Sequence, residues 1–172
     1  MVSRLKEMLA GSVKTGDFTL ASGKKSNYYV NIKEAYTQPA VLKEIAEEMA
    51  KLVRKREVDK IAGIALGAVP IAVALSLDLG IPFLVVRKHK KGHGTNIQIE
   101  GELKKGDKVI MVEDVVTTGG SVTAGVEEIR KKGTCNTVLA VVDREEGALE
   151  LLKEQKVELI SLITARELIG GD

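Results

Sequence analysis

The sequence predicts an α/β fold in which a parallel sheet of about five strands is flanked by helices, with a small N-terminal hood. Short Val-, Ile- and Leu-rich runs alternate with helical patterns from residue 60 onward, which is typical of a parallel sheet covered on both faces. A length of 172 residues, 44% of them hydrophobic, suits one domain with a substantial core. No linker-like composition divides the chain, so we expect residues 1–172 to form a single domain.

The N-terminal hood, residues 1–36, mixes two kinds of pattern. Helical spacing at residues 3–13 precedes two short strand patterns, at residues 18–20 and 28–32. A long helix is then predicted after Pro39, with an apolar face formed by Leu42, Ile45, Met49 and Leu52.

The rest of the chain follows a strand, loop and helix rhythm. The predicted strands are residues 60–65, 83–86, 108–112, 137–142 and 158–162, and the predicted helices are residues 69–79, 120–131 and 146–154. A polar, glycine-containing stretch at residues 88–102 is expected to be a loop. Ligands of such sheets bind beyond the carboxyl ends of the strands, so the candidate functional residues are those that follow each strand.

Charge and cysteine content limit the classes of partner. The 26 basic and 24 acidic residues leave a net charge of +2, which gives no overall attraction to nucleic acid. The single cysteine, Cys135, excludes an intramolecular disulfide and a cysteine-based metal cluster, and fits a reducing cytoplasm. No apolar run approaches the ~20 residues that span a bilayer. We therefore expect a cytoplasmic protein that binds neither nucleic acid nor membrane.

The strongest motif lies at residues 109–121, Val-Ile-Met-Val-Glu-Asp-Val-Val-Thr-Thr-Gly-Gly-Ser. An apolar strand ends in two acids, Glu113 and Asp114, and a loop rich in hydroxyls and glycine leads into a helix. Backbone N–H groups of such a loop can bind phosphate, and the acids can accept hydrogen bonds from sugar hydroxyls. The alternative is a plain strand-to-helix turn capped by Thr118 or Ser121. Because the acids directly precede the loop, we favour a site for a ribose 5-phosphate.

This motif resembles the signature of the type I phosphoribosyltransferases, which use phosphoribosyl pyrophosphate (PRPP). The resemblance implies that Glu113 and Asp114 hold the ribose hydroxyls, with Asp114 also acting in catalysis. It assigns the 5-phosphate to the loop, so that the further PRPP contacts are Val115, Val116, Thr117, Thr118, Gly119, Gly120 and Ser121.

Residues 18–29 resemble the N-terminal hood of the orotate phosphoribosyltransferases. Two adjacent aromatic residues, Tyr28 and Tyr29, suit one wall of a pocket for a flat ring. Side chains alternate along a strand, so one of the two is expected in the core, and the sequence leaves open which of them faces the ligand. Where the family usually has a lysine before Ser-Gly, this chain has Ala21.

Residues 87–94, Arg-Lys-His-Lys-Lys-Gly-His-Gly, hold both histidines of the chain. Composition alone favours a solvated loop, with a nucleic-acid patch as an alternative. The spacing also resembles the catalytic loop of the orotate enzymes, with PRPP-binding positions at Arg87, Lys88, Lys91 and His93. The resemblance implies that residues 87–100 form a mobile loop in which Lys91 and His93 act in catalysis. It also implies a homodimer in which this loop closes over the active site of the partner subunit.

Two further segments follow core strands. Residues 141–147 resemble a family segment whose arginine binds the carboxylate of orotate, and Arg144 can offer such a group two parallel donors. The alternative is an exposed arginine paired with Glu145 or Glu146. The resemblance assigns four residues to orotate: Thr117, Arg144, Tyr28 and Tyr29.

Residues 62–70 occupy the place of the family's pyrophosphate-binding turn. Bare backbone N–H groups at residues 66–68 can bind an anion, although Gly67 stands where some members have a lysine. The resemblance also implies a non-proline cis peptide bond between Ala65 and Leu66.

Together these resemblances imply a member of the orotate phosphoribosyltransferase family. The chain would transfer the 5-phosphoribosyl group of PRPP to orotate, giving orotidine 5′-monophosphate and pyrophosphate in de novo pyrimidine biosynthesis. Mg²⁺ is expected to be bound chiefly through PRPP and pyrophosphate, with no direct ligand from protein side chains. Two alternatives share the PRPP motif: a purine phosphoribosyltransferase, which needs no arginine at position 144, and a PRPP-sensing regulator without catalysis.

Overall fold

The computed structural model describes residues 2–19, 25–90 and 95–170 of the chain. The strands are β1 (Val13–Thr19), β2 (Lys25–Val30), β3 (Lys60–Ile64), β4 (Phe83–Lys90), β5 (Thr95–Glu100), β6 (Lys108–Val116), β7 (Thr134–Asp143) and β8 (Glu158–Thr164). The α-helices are α1 (Val2–Leu9), α2 (Ile32–Tyr36), α3 (Pro39–Val53), α4 (Val69–Leu79), α5 (Gly120–Arg130), α6 (Ala148–Glu154) and α7 (Ala165–Ile169).

A six-stranded sheet forms the centre of the molecule, in the order β5-β4-β3-β6-β7-β8. The strands β4, β3, β6, β7 and β8 pair in parallel, and β5 pairs antiparallel with β4. The predicted α/β fold with about five parallel strands is therefore confirmed. The antiparallel sixth strand was not predicted.

Alternating side chains of the buried strands supply two separate cores. On β6, Ile110 and Val112 join one cluster with α1, α3, α4 and α7, whereas Val109 and Met111 join the other with α5 and α6. Because successive side chains point to opposite faces of a sheet, an unbroken apolar run can face helices on both sides. This explains why the strands have a continuous rather than an alternating apolar pattern.

The N-terminal region departs from its predicted bounds. The helix expected at residues 3–13 ends at Leu9, and a short 3-10 helix, Ala10–Ser12, leads into β1. Pairing with β2, in which Val13 lies opposite Val30, fixes residues from Val13 onward as strand. The pairing partner lies far along the sequence, so the local helical spacing could not indicate it.

The prediction of a loop at residues 88–102 is wrong for residues 88–90 and 95–100, which are strand, and holds for residues 101–102. Strand β4 continues to Lys90, and β5 returns beside it, with Arg87 opposite Gln98. Apolar Ile97 and Ile99 alternate with polar residues, which is the pattern of a half-buried strand. The polar composition hid this short alternation. Residues 91–94 lie outside the described residues.

Among the described residues, no helix is long and apolar enough to cross a membrane.

Candidate active site

A cavity of about 360 Å³ lies beyond the carboxyl ends of β3, β6 and β7. It is lined by residues 29–33, 64–67, 113–122 and 144. Parallel sheets bind ligands at this end of their strands, where the loops that follow neighbouring strands meet. The structure thus brings the hood, the turn after β3, the acid-and-glycine motif and Arg144 to one place.

The two acids lie within β6 rather than after it, since β6 extends to Val116. Glu113 and Asp114 are buried, at 7% and 8% exposure. The Asp114 N–H donates to Glu113 Oε1 at 3.0 Å, and the Val115 N–H donates to Asp114 Oδ1 at 2.9 Å. Backbone donors therefore fix both carboxyl groups at the cavity wall.

Burial raises the pKa of Glu113 well above its ordinary value, and the hydrogen bond with Asp114 and the charge of Asp114 raise it further. Lys33 and the Asp114 N–H act in the opposite direction. A carboxyl group that retains a proton more readily can donate as well as accept hydrogen bonds. Such a pair matches the two hydroxyl groups of a sugar diol.

The glycine-rich loop leads directly into α5. Gly119 is the N-cap residue of α5 and has a φ of +83°, and an added Cβ there would lie 3.2 Å from Ala148 Cα. The first-turn N–H groups of a helix have no partner within the helix, and Gly119, Gly120 and Ser121 line the cavity. The alternative of a helix capped by Thr118 or Ser121 does not hold, because neither occupies the N-cap position.

The turn after β3 contacts the acid pair. The peptide bond between Ala65 and Leu66 is cis, as the resemblance implied. An added Cβ at Gly67 would lie only 2.1 Å from Asp114 Oδ2, so this position has no room for a side chain while the carboxylate keeps its place. The lysine that some family members carry at this position would therefore not fit in this arrangement.

Tyr36, which the sequence did not single out, holds this turn. Its buried hydroxyl donates to the carbonyl oxygen of Gly67 at 2.9 Å. Burial, followed by the charges of Asp114 and Glu113, raises the pKa of Tyr36 to about 12. Tyr36 therefore stays protonated and remains a donor at neutral pH. Tyr36 and Gly67 are 31 residues apart in the sequence, so local sequence patterns do not indicate this contact.

Arg144 is buried, with 3% of its side chain exposed. Its Nε lies 2.9 Å from Glu146 Oε1, and its guanidinium lies 4.7 Å from the centre of the Tyr28 ring. The expected alternative of an arginine paired with Glu146 is correct about the pairing and wrong about the exposure. Burial and two neighbours give the guanidinium a defined position at the end of β7.

The adjacent tyrosines face different spaces. Tyr29 lines the main cavity, is 39% exposed and packs against Phe18 with ring centres 5.6 Å apart. Tyr28 packs against the core and lines a second cavity of about 350 Å³, which Arg144 and Arg166 also line. Alternation along β2 therefore separates the pair, as the strand pattern predicted.

The remaining predicted site residues divide into three groups. Thr117 and the rest of residues 113–121 line the main cavity. Arg87 lies outside that lining, and its Nη1 donates to Glu100 Oε1 across the β4–β5 hairpin at 2.8 Å. Lys88 lies on β4, and Lys91 and His93 fall outside the described residues.

Lys33 is the second residue that the sequence did not single out. It lines the main cavity from α2, and its Nζ lies 3.9 Å from Asp114 Oδ2.

Within the described ranges, no group of three or more His, Cys, Asp or Glu side chains is placed to hold a metal ion.

A buried acid pair beside a glycine-rich helix N-terminus, at the carboxyl end of a parallel sheet, is the arrangement expected in the class of proteins that bind a phosphorylated ribose. A family model described as the phosphoribosyl transferase domain matches residues 31–166. The orotate phosphoribosyltransferase of Methanocaldococcus jannaschii is 52% identical over 169 residues, covering 98% of this chain and 94% of that relative.

Solved structures agree with these relatives. The orotate phosphoribosyltransferase from Aeropyrum pernix has a TM-score of 0.84 and 35% identity, covering 98% of this chain and 95% of that one. The Mycobacterium tuberculosis enzyme, solved in complex with PRPP, has a TM-score of 0.78 and 28% identity, covering 97% and 98%. The chain belongs to the orotate phosphoribosyltransferase family, which confirms the resemblance seen in its motifs.

Proposed function

We propose that this protein transfers the 5-phosphoribosyl group of PRPP to orotate, releasing pyrophosphate and forming orotidine 5′-monophosphate for de novo pyrimidine biosynthesis. One observation carries the proposal. A single cavity joins the buried acid pair, the N–H-rich loop before α5 and the buried guanidinium of Arg144. These three features match a ribose diol, a 5-phosphate and the carboxylate of the base.

In this proposal each part of the cavity acts on one part of the substrates. Glu113 and Asp114 bind the ribose hydroxyls, and the loop at residues 116–121 binds the 5-phosphate. Thr117, Arg144 and Tyr29 face orotate, and Tyr28 supports Arg144 from beneath. Holding both reactants in register removes much of the entropic barrier to a reaction between two molecules.

The bond changes follow from this placement. N1 of orotate forms a bond to C1′ of the ribose, while the bond from C1′ to the pyrophosphate oxygen breaks and its electron pair leaves with pyrophosphate. The proton of N1 is released. Positive charge develops on the ribose ring as the leaving group departs, and buried carboxyl groups near the ring stabilise it.

Mg²⁺ is proposed as the cofactor, held mainly by the pyrophosphate oxygens and ribose hydroxyls. The donor set fits this role: Glu113 and Asp114 adjoin the diol site, and Mg²⁺ usually keeps several ligands from water and substrate phosphates. When bound, the ion neutralises charge on the leaving pyrophosphate.

The basic segment, residues 87–94, is proposed to complete the site from a second subunit. By resemblance, Arg87, Lys88, Lys91 and His93 bind the pyrophosphate, with Lys91 and His93 acting in catalysis in the active site of the partner of a homodimer. Mixing Lys91→Ala chains with Asp114→Asn chains tests this. Recovered activity in mixed dimers supports action across the interface, and no recovery despite proven subunit exchange contradicts it.

We further propose a cytoplasmic location, which the single buried thiol of Cys135 fits.

A turnover assay tests the proposed function. PRPP and Mg²⁺ would be supplied with orotate, uracil, adenine, guanine or xanthine in turn. We expect turnover of orotate alone. Turnover of a purine base would support a purine phosphoribosyltransferase, and PRPP binding without turnover of any base would support a regulator.

A further inference from the structure

The main cavity is lined by both acidic and cationic side chains. Within the described residues, its lining contains two acidic side chains, Glu113 and Asp114, and two cationic ones, Lys33 and Arg144. Arg144 already faces the carboxylate of Glu146. Lys33 is therefore the described cation best placed for a further anionic group of a substrate.

Lys33 lies against the acid pair without being fixed to it. Its Nζ is 3.9 Å from Asp114 Oδ2, which is longer than a hydrogen bond. Its side chain is 59% exposed, against 11% for Asp114. A long, solvated lysine can exchange one oxygen partner for another at small cost.

The backbone of Lys33, in contrast, is held firmly. The short helix α2 is anchored by two buried residues, Ile32 at 0% exposure and Tyr36 at 7%. The Tyr36 hydroxyl donates to the carbonyl of Gly67. One helix therefore both supplies a cation and fixes the turn after β3.

The turn and the cation meet at the same oxygen atom. Asp114 Oδ2 faces Nζ of Lys33, and it is also the atom that an added Cβ at Gly67 would strike. The other oxygen, Oδ1, accepts the Val115 N–H. The Lys33 ammonium group and the turn around Gly67 thus both adjoin Asp114 Oδ2, and both line the main cavity.

We propose that Lys33 binds the pyrophosphate group of PRPP from within its own subunit, a role that rests on the proposed function. By the resemblance, this chain has Ala21 and Gly67 at two positions where a lysine is usual in the family or present in some of its members, and Lys33 supplies a positive charge from a different element. On binding, its ammonium group turns from Asp114 to the pyrophosphate. This leaves Asp114 for the ribose hydroxyls and places a positive charge beside the leaving group.

Binding measurements on the full chain separate this role from simple support of Asp114. Lys33→Met removes the charge and keeps the length, and Lys33→Arg keeps the charge. Lys43→Met is the matched control, because Lys43 lies on α3 with its side chain 76% exposed. Thermal unfolding verifies that each variant is folded. The ligands are magnesium pyrophosphate and ribose 5-phosphate, each followed by calorimetry.

We expect Lys33→Met to weaken pyrophosphate binding about 10- to 100-fold, the usual range for a lost hydrogen bond to a charged group. Ribose 5-phosphate binding should stay within about twofold, and Lys33→Arg should restore most of the pyrophosphate affinity. Equal weakening of both ligands would show that Lys33 only positions Asp114 and would overturn the proposal. Unchanged pyrophosphate binding would overturn it as well.

These measurements are independent of turnover. If the wild-type chain fails to convert orotate but Lys33→Met selectively weakens pyrophosphate binding, the role of Lys33 stands and the proposed function fails. If orotate is converted and pyrophosphate binding is unchanged in Lys33→Met, the proposed function stands and the role of Lys33 fails.

Discussion

The two halves of the main cavity are built in different ways. The half that we propose binds ribose phosphate, the ribose-phosphate half, comes from one continuous segment, residues 113–121, in which a strand, a loop and a helix start follow one another. The half that we propose binds orotate, the base half, combines Tyr29 of the hood with Arg144 at the end of β7, and shares Thr117 with the first half. Its supporting contacts come from Tyr28 and Glu146.

This difference has an electrostatic counterpart. In the first half, two carboxyl groups are buried side by side, and burial, followed by the hydrogen bond with Asp114 and the charge of Asp114, raises the pKa of Glu113. In the second half, the buried cation Arg144 lies beside a carboxylate and an aromatic ring. One half therefore holds two buried carboxyl groups with a raised pKa at Glu113, and the other holds a cation beside a carboxylate and an aromatic ring.

Arg144→Ala should break the base half alone. Losing a buried, charge-assisted contact to a carboxylate costs about 2–5 kcal/mol, so the KM for orotate should rise by about 30-fold or more while that for PRPP changes little. Arg54→Ala is the control, because Arg54 pairs with Asp78 away from the cavity. Unchanged orotate binding in a calorimeter, with the variant still folded, would remove Arg144 from the base site.

Asp114→Asn should break the ribose half alone. The amide can still accept the Val115 N–H, so the backbone should hold, but the charge near the ribose is lost. We expect kcat/KM for PRPP to fall about 10²-fold, the size of effect that misplacing a reacting group produces. Asp78→Asn serves as the control. An unchanged kcat/KM for PRPP would rule out a role for Asp114 in the mechanism.

Tyr36→Phe should loosen the turn that adjoins the ribose half. One hydroxyl-to-carbonyl hydrogen bond is worth about 1 kcal/mol, so the KM for PRPP should rise about fivefold, with the KM for orotate unchanged. Ser76→Ala removes a comparable bond, to the carbonyl of Ile81, outside the cavity lining. If both variants shift the KM for PRPP equally, the effect is general loosening and Tyr36 does not position the turn.

Glu113→Gln should show the electrostatic difference as a small change in stability. The pKa of Glu113 in the folded chain is raised above its ordinary value of 4.5. The unfolded chain therefore loses this proton first as pH rises, and the wild type loses stability relative to the variant. Urea unfolding should give equal stability near pH 4 and a more stable variant at pH 7. A variant that is less stable at pH 7 would contradict the raised pKa.

The sequence by itself determined the features that are local in the chain. These are the five parallel strands and three helices predicted from residue 60 onward, without β5 and α7, and the acid-and-glycine motif at residues 109–121. They depend on neighbouring residues and on apolar periodicity. Both are confirmed by the parallel sheet and by the single wall that residues 113–121 form. A strand, a tight loop and a helix start are short-range structures, so their residues suffice to predict them.

Only the tertiary structure decided the contacts between distant segments. The pairing that extends β4 to Lys90 overrode a polar pattern that predicted a loop. The contacts of Lys33 with Asp114 and of Tyr36 with Gly67 bring α2 onto the acid pair. Local patterns cannot report these contacts, because they arise when the packing of hood and sheet brings remote residues together.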